Sequence, residues 1–255
     1  MRLFALVLLA PFFLAAQDSR PLPDRDALFR ATRENLLREQ REQRSFAYKE
    51  RRTELHTNPF GHIGTGPARV YDIEPLAGGG FTRKLLERDG KPVPDAEVER
   101  VEPRNRGRRP GRSGPSAIDD AIGALEFKLD RRERLNGRDT IVVIFTPRAN
   151  AKPQTREGRL VKSFTGRIWV DEDAHEVIRS ESTAIDDLTY GYGVIVRLSK
   201  GTTVNVTRQP VEPNLWLPTS MRLQGRGRAL LFRKLEVDHA VDWFDYRRVS
   251  NPTSQ

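Results

Sequence analysis

The residues of this 255-residue chain that could do chemistry are few, and they concentrate in one run. His175-Glu176-Val177-Ile178-Arg179 approaches the HExxH arrangement, in which two histidines one helical turn apart hold zinc and the glutamate serves as base. Its fifth position is arginine, which does not ligate, and the flanking residues alternate as a strand. Asp171-Glu172-Asp173, just upstream, lack the glycine and distal glutamate of an EF-hand loop, and a solvated turn accounts for them. His56 and His62 lie six apart across Asn-Pro-Phe-Gly, and the neighbouring sequence supplies no third metal ligand. Ser113 sits in Gly-Arg-Ser-Gly-Pro, not in the G-x-S-x-G of a nucleophile elbow. Gly78-Gly79-Gly80 is followed by no Gly-Lys-Ser/Thr and reads as a tight turn, not a phosphate loop. Asn205-Val206-Thr207 has only the form of a glycosylation acceptor. With no cysteine in the chain, thiol chemistry, disulfides and cysteine-linked lipidation are excluded. The expectation is a non-enzymatic protein with no metal and no cofactor.

The elements that carry these residues are mostly strands. Phe164 to Val170 alternates, Asp171 to Asp173 turns, and Val177 to Thr183 returns, which makes an antiparallel hairpin. Leu188 to Ser199 shows the clearest alternation, with Leu188, Tyr190, Tyr192, Val194, Val196 and Leu198 at every second position. Thr202 to Thr207, Leu215 to Leu223 and Leu230 to Tyr246 continue the series, the last with Leu235, Val237, Val241 and Trp243 on one face. Earlier, Ala68 to Glu74 and Phe81 to Arg88 are strands, and Phe46 to Thr57 is so polar that it reads as an edge or water-washed strand. Asn136-Gly137 is the strongest hairpin signal, joining Glu126–Arg134 to Asp139–Pro147. The latter is apolar on both faces through Ile141 to Phe145, which predicts a central strand with one side under a helix.

Two helices are evident. The first runs from Asp24, its cap, to about Arg44, with Leu28, Phe29, Leu36 and Leu37 as a narrow apolar stripe and RENLLREQREQR laced with opposite charges. The second, Ser116 to Leu125, is short. Ten or eleven strands with two helices predict a mainly β (α+β) fold. This is a strongly curved antiparallel meander or unclosed β-barrel, one face covered by the N-terminal helix and the short second helix.

The first sixteen residues read as an export signal. Arg2 precedes the apolar Leu3–Ala16, and Ala15-Ala16 offers a small-residue cleavage site. The run is shorter than the roughly 20 residues of a membrane span. The expected layout is therefore a signal peptide at 1–16 and a single β-domain at 17–255, opening on the Pro-containing tether Gln17–Pro23, in a soluble periplasmic or secreted protein. Residues 88–115 form a flexible basic insert whose centre, PRNRGRRPGRSGP, has no apolar anchor and no stacking aromatics. The formal net charge of +9 comes from arginines interleaved with acids almost everywhere, so the charge reads as solvated and no nucleic-acid partner is expected.

The segments Gly166-Arg167-Ile168-Trp169-Val170-Asp171, Val177-Ile178-Arg179 and Asn214-Leu215-Trp216-Leu217-Pro218-Thr219-Ser220 follow a signal peptide, a helix and a strand series. In that order they resemble the periplasmic lipoprotein-carrier superfamily, the LolA/LolB-like proteins. The resemblance spans the mature chain in element order. It implies an unclosed β-barrel, often of eleven strands, with helices as a lid over an apolar cavity that receives lipid moieties of lipoproteins. The same architecture serves sigma-factor regulators of the MucB/RseB kind. The basic insert and the charged first strand depart from a carrier's cavity wall, and no site residue is carried over from the family. The expected ligand is an acyl chain of a lipid or lipoprotein. Trp169, Tyr190, Tyr192, Val194 and Trp216 form the candidate apolar lining, chosen from their places on alternating strands. The alternative is an envelope-stress sensor or scaffold with a solid core that binds an envelope protein.

Overall fold

The computed structural model describes residues 20–57, 63–76, 80–94, 98–101, 116–192, 194–229 and 233–249; the side chains of 54–57, 63–64, 98–101, 190–192, 194–196, 229 and 233 lie outside the description. The elements follow from local chemistry. Helix α1 (Arg25–Glu42) starts where the Asp24 carboxylate accepts the Ala27 amide at 2.8 Å, with Asp26 in the first turn. A single 3-10 turn at Gln43–Ser45 then feeds the first strand. Strands β1 (Phe46–Thr57), β2 (Ile63–Pro75), β3 (Phe81–Arg88), β4 (Lys91–Pro92) and β5 (Val98–Val101) come next. Helix α2 (Ala117–Gly123), capped by Ser116, leads into β6 (Leu125–Leu135) and β7 (Arg138–Pro147). Between them Asn136 and Gly137 adopt φ of 51° and 81°, the left-handed pair that a two-residue turn requires.

A third helix, α3 (Arg156–Val161), breaks the expectation of two. It is capped by Thr155 and pinned to α2, because the Asp120 carboxylate accepts the Thr155 amide at 2.7 Å and its hydroxyl at 2.6 Å. The hairpin β8 (Phe164–Asp171) and β9 (Val177–Ala184) follows as expected. The alternating run after it is not one strand but a tight hairpin, β10 (Leu188–Tyr192) with β11 (Val194–Leu198), in which Tyr192 pairs with Val194 and Leu188 with Leu198. Strands β12 (Thr203–Glu212), β13 (Leu215–Ala229) and β14 (Arg233–Arg248) complete the chain. Within the segment read as an irregular insert, β4 and β5 both pair with β3; residues 102–115, which include the whole of its basic centre, lie outside the described residues.

All fourteen described strands share one sheet, ordered β4-β3-β2-β1-β14-β13-β12-β9-β8-β7-β6, with β5 beside β3 and the β10–β11 hairpin docked on β13. Neighbours are antiparallel apart from one parallel bridge, Leu235 to Ile63. The two ends of this order, β4 and β6, are not paired to each other among the described strands, so the sheet is open. It is not a simple meander: β1 pairs with both β2 and β14, so the charged first strand lies inside the sheet, not at its edge. Bulges in β2, β3, β6, β9, β12, β13 and β14 add the local twist that coils the sheet. Gly166 lets β9 approach closely, since a Cβ there would collide with the Glu181 carbonyl. Strand β7 lies next to the edge strand β6, and its Ile141, Val142 and Val143 are fully buried. Its inner side is under α1, as expected. No helix among the described residues is long and apolar enough to cross a membrane.

Candidate functional site: the inner face of the sheet

Alternation fixes which side chains share the concave side. On β7 and β8, Ile141, Val143 and Val170 pack against Leu28 of α1, with Phe29, Leu36, Leu129 and Ile168 around them. Phe29 meets Phe127 of β6 at 5.6 Å between ring centres. Further round the same face, Phe145 and Phe164 join Leu235 and Val237 of β14, with Leu160 and Val161 of α3 against them. This half of the inner face is apolar and covered by α1 and α3.

Beyond Val237 the face changes character. Val241 stands in register with Arg52 of β1 and, through it, with Arg69 of β2; Trp243 is in register with Glu50, and Glu50 with Tyr71. Paired residues in a sheet point to the same side. Trp243 Nε1 donates to Glu50 Oε2 at 3.0 Å, Arg52 reaches Glu50 at 3.3 Å, and Arg69 donates to the Tyr71 hydroxyl at 3.4 Å. The Arg83 guanidinium lies over the Tyr71 ring at 4.7 Å. Tyr48, one position along, has its hydroxyl pushed up to about 12 by burial and by the Glu50 charge. The inner face thus runs from an apolar half under the helices to an arginine-rich and aromatic half on β14, β1, β2 and β3.

Helix α1 is held over the apolar half by polar contacts at its C-terminal end. Asn35 Nδ2 donates to the carbonyls of Ala174 and His175 at 2.9 and 3.1 Å. Arg38 bridges Glu176 at 2.7 Å and the Asn214 carbonyl at 2.8 Å, so one helical turn grips the β8–β9 and β12–β13 turns together. Glu39 pairs with Arg208 of β12, whose guanidinium also donates to the Trp216 carbonyl at 2.9 Å. Glu39 and Glu176 are only 2% and 1% exposed. Burial and the neighbouring Glu39 carboxyl push the Glu176 carboxyl up to about 8, outweighing Arg38 and Arg208.

The sequence-derived candidates divide. Trp169 is buried, but it alternates with Ile168 and Val170 and so faces away from α1. Its Nε1 donates to Glu133 at 3.2 Å and Arg179 stacks on its ring at 5.2 Å. Trp216 is buried beside the α1 contacts, with Arg138 over its ring at 5.4 Å. Tyr190, Tyr192 and Val194 belong to β10 and β11, in register as a hairpin, and their side chains lie outside the described residues. The HExxH-like segment is accounted for by other work: His175 takes a φ of 57° in the turn, Glu176 meets α1, and Arg179 covers Trp169. Asp171 accepts the Asp173 and Ala174 amides at 3.1 and 2.7 Å and pairs with Arg138, while Glu172 binds Arg132 at 2.6 Å. His62 lies outside the described residues, as does the side chain of His56. Among the described residues no group of three acidic or histidine side chains is placed to hold a metal ion.

Fold and site together define a class: an open antiparallel half-barrel with helices over part of its concave face. Among solved structures, the chain is similar to a domain described as an outer membrane lipoprotein-sorting protein from Vibrio parahaemolyticus, at 14% identity over 87% of this chain and 92% of that one, with a TM-score of 0.38. It is also similar to a LolA superfamily protein from Nitrosomonas europaea, at 12% identity over 89% and 93%, with a TM-score of 0.37. A DUF1329 family protein from Desulfovibrio piger is similar at 13% identity over 88% and 94%, with a TM-score of 0.36. No protein-family model and no curated protein matches the chain.

Proposed function

We propose that this chain is a non-enzymatic binding protein of the bacterial cell envelope, exported to the periplasm, that holds an amphiphile on the inner face of its half-barrel. The amphiphile is a lipid or the lipid moiety of a lipoprotein. The observation that carries this reading is the amphipathic inner face itself. Its apolar half, around Ile141, Val143, Phe145 and Ile168, suits acyl chains, and its arginine and aromatic half, around Arg52, Arg69, Tyr71 and Trp243, suits a polar head. The cover over the apolar half is a helix with a narrow apolar stripe, anchored by side chain to turn contacts, and that is an attachment which can be exchanged for a ligand. The sequence resemblance to lipoprotein carriers points the same way. Trp216, Tyr190, Tyr192 and Val194 are proposed to extend the lining. Trp169, buried on the opposite face of the sheet, is left out of the lining.

The test is native mass spectrometry of gently purified protein, paired with titration of a fluorescent fatty acid. Co-purified lipid or saturable uptake is expected. Protein that emerges free of lipid and takes up no fatty acid overturns the reading, and retention of a membrane protein in a pull-down without lipid would point to a scaffold instead.

A further inference from the structure

The buried face of α1 is apolar only in its first half. Leu28, Thr32, Asn35 and Glu39 follow one another at helical spacing, and all but Asn35 are buried. The stripe ends at a carboxylate. Glu176 of the β8–β9 turn lies at the same seam: Arg38, the residue before Glu39, bonds the Glu176 carboxyl at 2.7 Å, and the charge of Glu39 raises that carboxyl further. Oε1 of Glu39 and Oε2 of Glu176 are both buried with no hydrogen-bond partner, an arrangement that one shared proton would relieve. The charged groups around the pair are Arg38 on α1 and Arg208 on β12; β13 and the turn before it contribute the carbonyls of Trp216 and Asn214. From β14, Tyr246 lies near Arg208, its hydroxyl donating to the Pro218 carbonyl at 2.6 Å. A carboxyl pair buried at the seam between a helix and two turns is stable there only while it keeps its proton, because two carboxylates in contact repel and desolvation penalises both.

We propose that the Glu39–Glu176 pair is a proton-dependent latch, which holds α1 against the sheet when the pair is protonated and releases it when the proton is lost. The proposal rests on the amphiphile-binding reading for its purpose, since release of α1 uncovers the apolar half of the inner face, but not for its physical test. The sign is fixed by which state binds more protons. With α1 closed, Glu176 keeps its proton to about pH 8; with α1 released, its carboxyl is solvated and returns to its ordinary value of 4.5. Closure is therefore most favoured at acid pH and weakens progressively as pH rises through this window, with up to about tenfold in the closing equilibrium for each pH unit.

Hydrogen exchange of the α1 amides in the intact protein, corrected for the intrinsic pH dependence of exchange, reads the latch directly. Protection of α1 is expected to fall at least about tenfold between pH 6 and pH 8.5, while amides of β7 and β8 hold theirs. Glu176→Gln, a neutral isostere, is expected to keep α1 protected across the range. Equal corrected protection at both pH values in the wild type, or an unchanged pH dependence in Glu176→Gln, overturns the latch. Running fatty-acid uptake at the same two pH values separates the two readings. A pH-dependent α1 with no uptake supports the latch and removes the amphiphile, whereas uptake by a helix whose protection ignores pH removes the latch alone.

Discussion

At the scale of single residues, the HExxH-like run that looked most chemical in the sequence does structural work, and the residues of the candidate site looked ordinary. Glu176 was legible only as the second letter of a broken zinc pattern, and Glu39 only as one charge in an amphipolar helix. What joined them was invisible locally, because they are far apart in the chain and meet through tertiary packing. A signal was present in α1: Glu39 falls eleven residues after Leu28, on the same helical face, and an acid on a buried stripe needs a partner. Asp171 permits a sharper prediction. Burial alone would raise its carboxyl, but Arg138 and the amides of Ala174 and Asp173 outweigh this and hold it below the ordinary carboxylate value. A group held low when folded stabilises the protein above its unfolded value and loses that contribution as pH falls through the folded value. Asp171→Asn should therefore lower unfolding free energy by roughly 1–3 kcal/mol at pH 7. The gap from the wild type should shrink as pH drops below about 4. Urea titrations at several pH values measure both, and a gap that is constant with pH would show that the charge is not what matters.

At the scale of elements, turns and caps were readable because their chemistry is local. Asp24 caps α1, Ser116 caps α2, and Asn136-Gly137 makes the hairpin turn that its residue types demand. Helix α3 was missed, although Thr155 followed by Glu157 is a start signal, because six residues give no measurable period. The run from Leu188 to Leu198 misled for the opposite reason: alternation persists through a hairpin when the turn is short enough to preserve the phase. Helix α1 yields two separable tests. Leu28 is buried among Ile141, Val143, Val170 and Val177, so Leu28→Ala should cost about 2–5 kcal/mol if α1 unfolds with the sheet. Asp24→Ala removes only the cap and should cost about 1 kcal/mol. If α1 instead opens on its own, both substitutions will leave the global denaturation midpoint nearly unmoved and appear only as lost α1 protection in hydrogen exchange. That pattern would mark the helix as a separately opening cover.

At the scale of the whole molecule, the sequence conveyed an open, curved antiparallel sheet but not its order. A run of hairpins suggests neighbours in sequence lying side by side, and that holds from β6 to β9 and from β12 to β14. It fails at the middle, where β1 joins β14 and the chain's first and last strands meet. Strand β1 could not be placed from its own composition. Its inner residues, Glu50 and Arg52, are charged yet paired with Trp243 and with one another, so it reads as an edge while lying between two neighbours. This closure makes a strong prediction about cooperativity. Strand β14 bonds to β13 along ten residue pairs and to β1 along six, so a chain ending at residue 232 would separate β1–β5 from β6–β13 and lay open the Leu235 and Val237 contacts of the apolar half. A local meander would tolerate losing its last strand. Here the truncated chain should show no single cooperative urea transition and should be cut rapidly by protease across both halves, because neither retains a closed core. Intact protein should refold in milliseconds to seconds, slowed by the need to bring strands about 190 residues apart into register before either half is stable. A truncated chain with a sharp transition would mean that β6–β13 with its helices is an independent unit, and that the basic, aromatic half of the inner face is an addition to it.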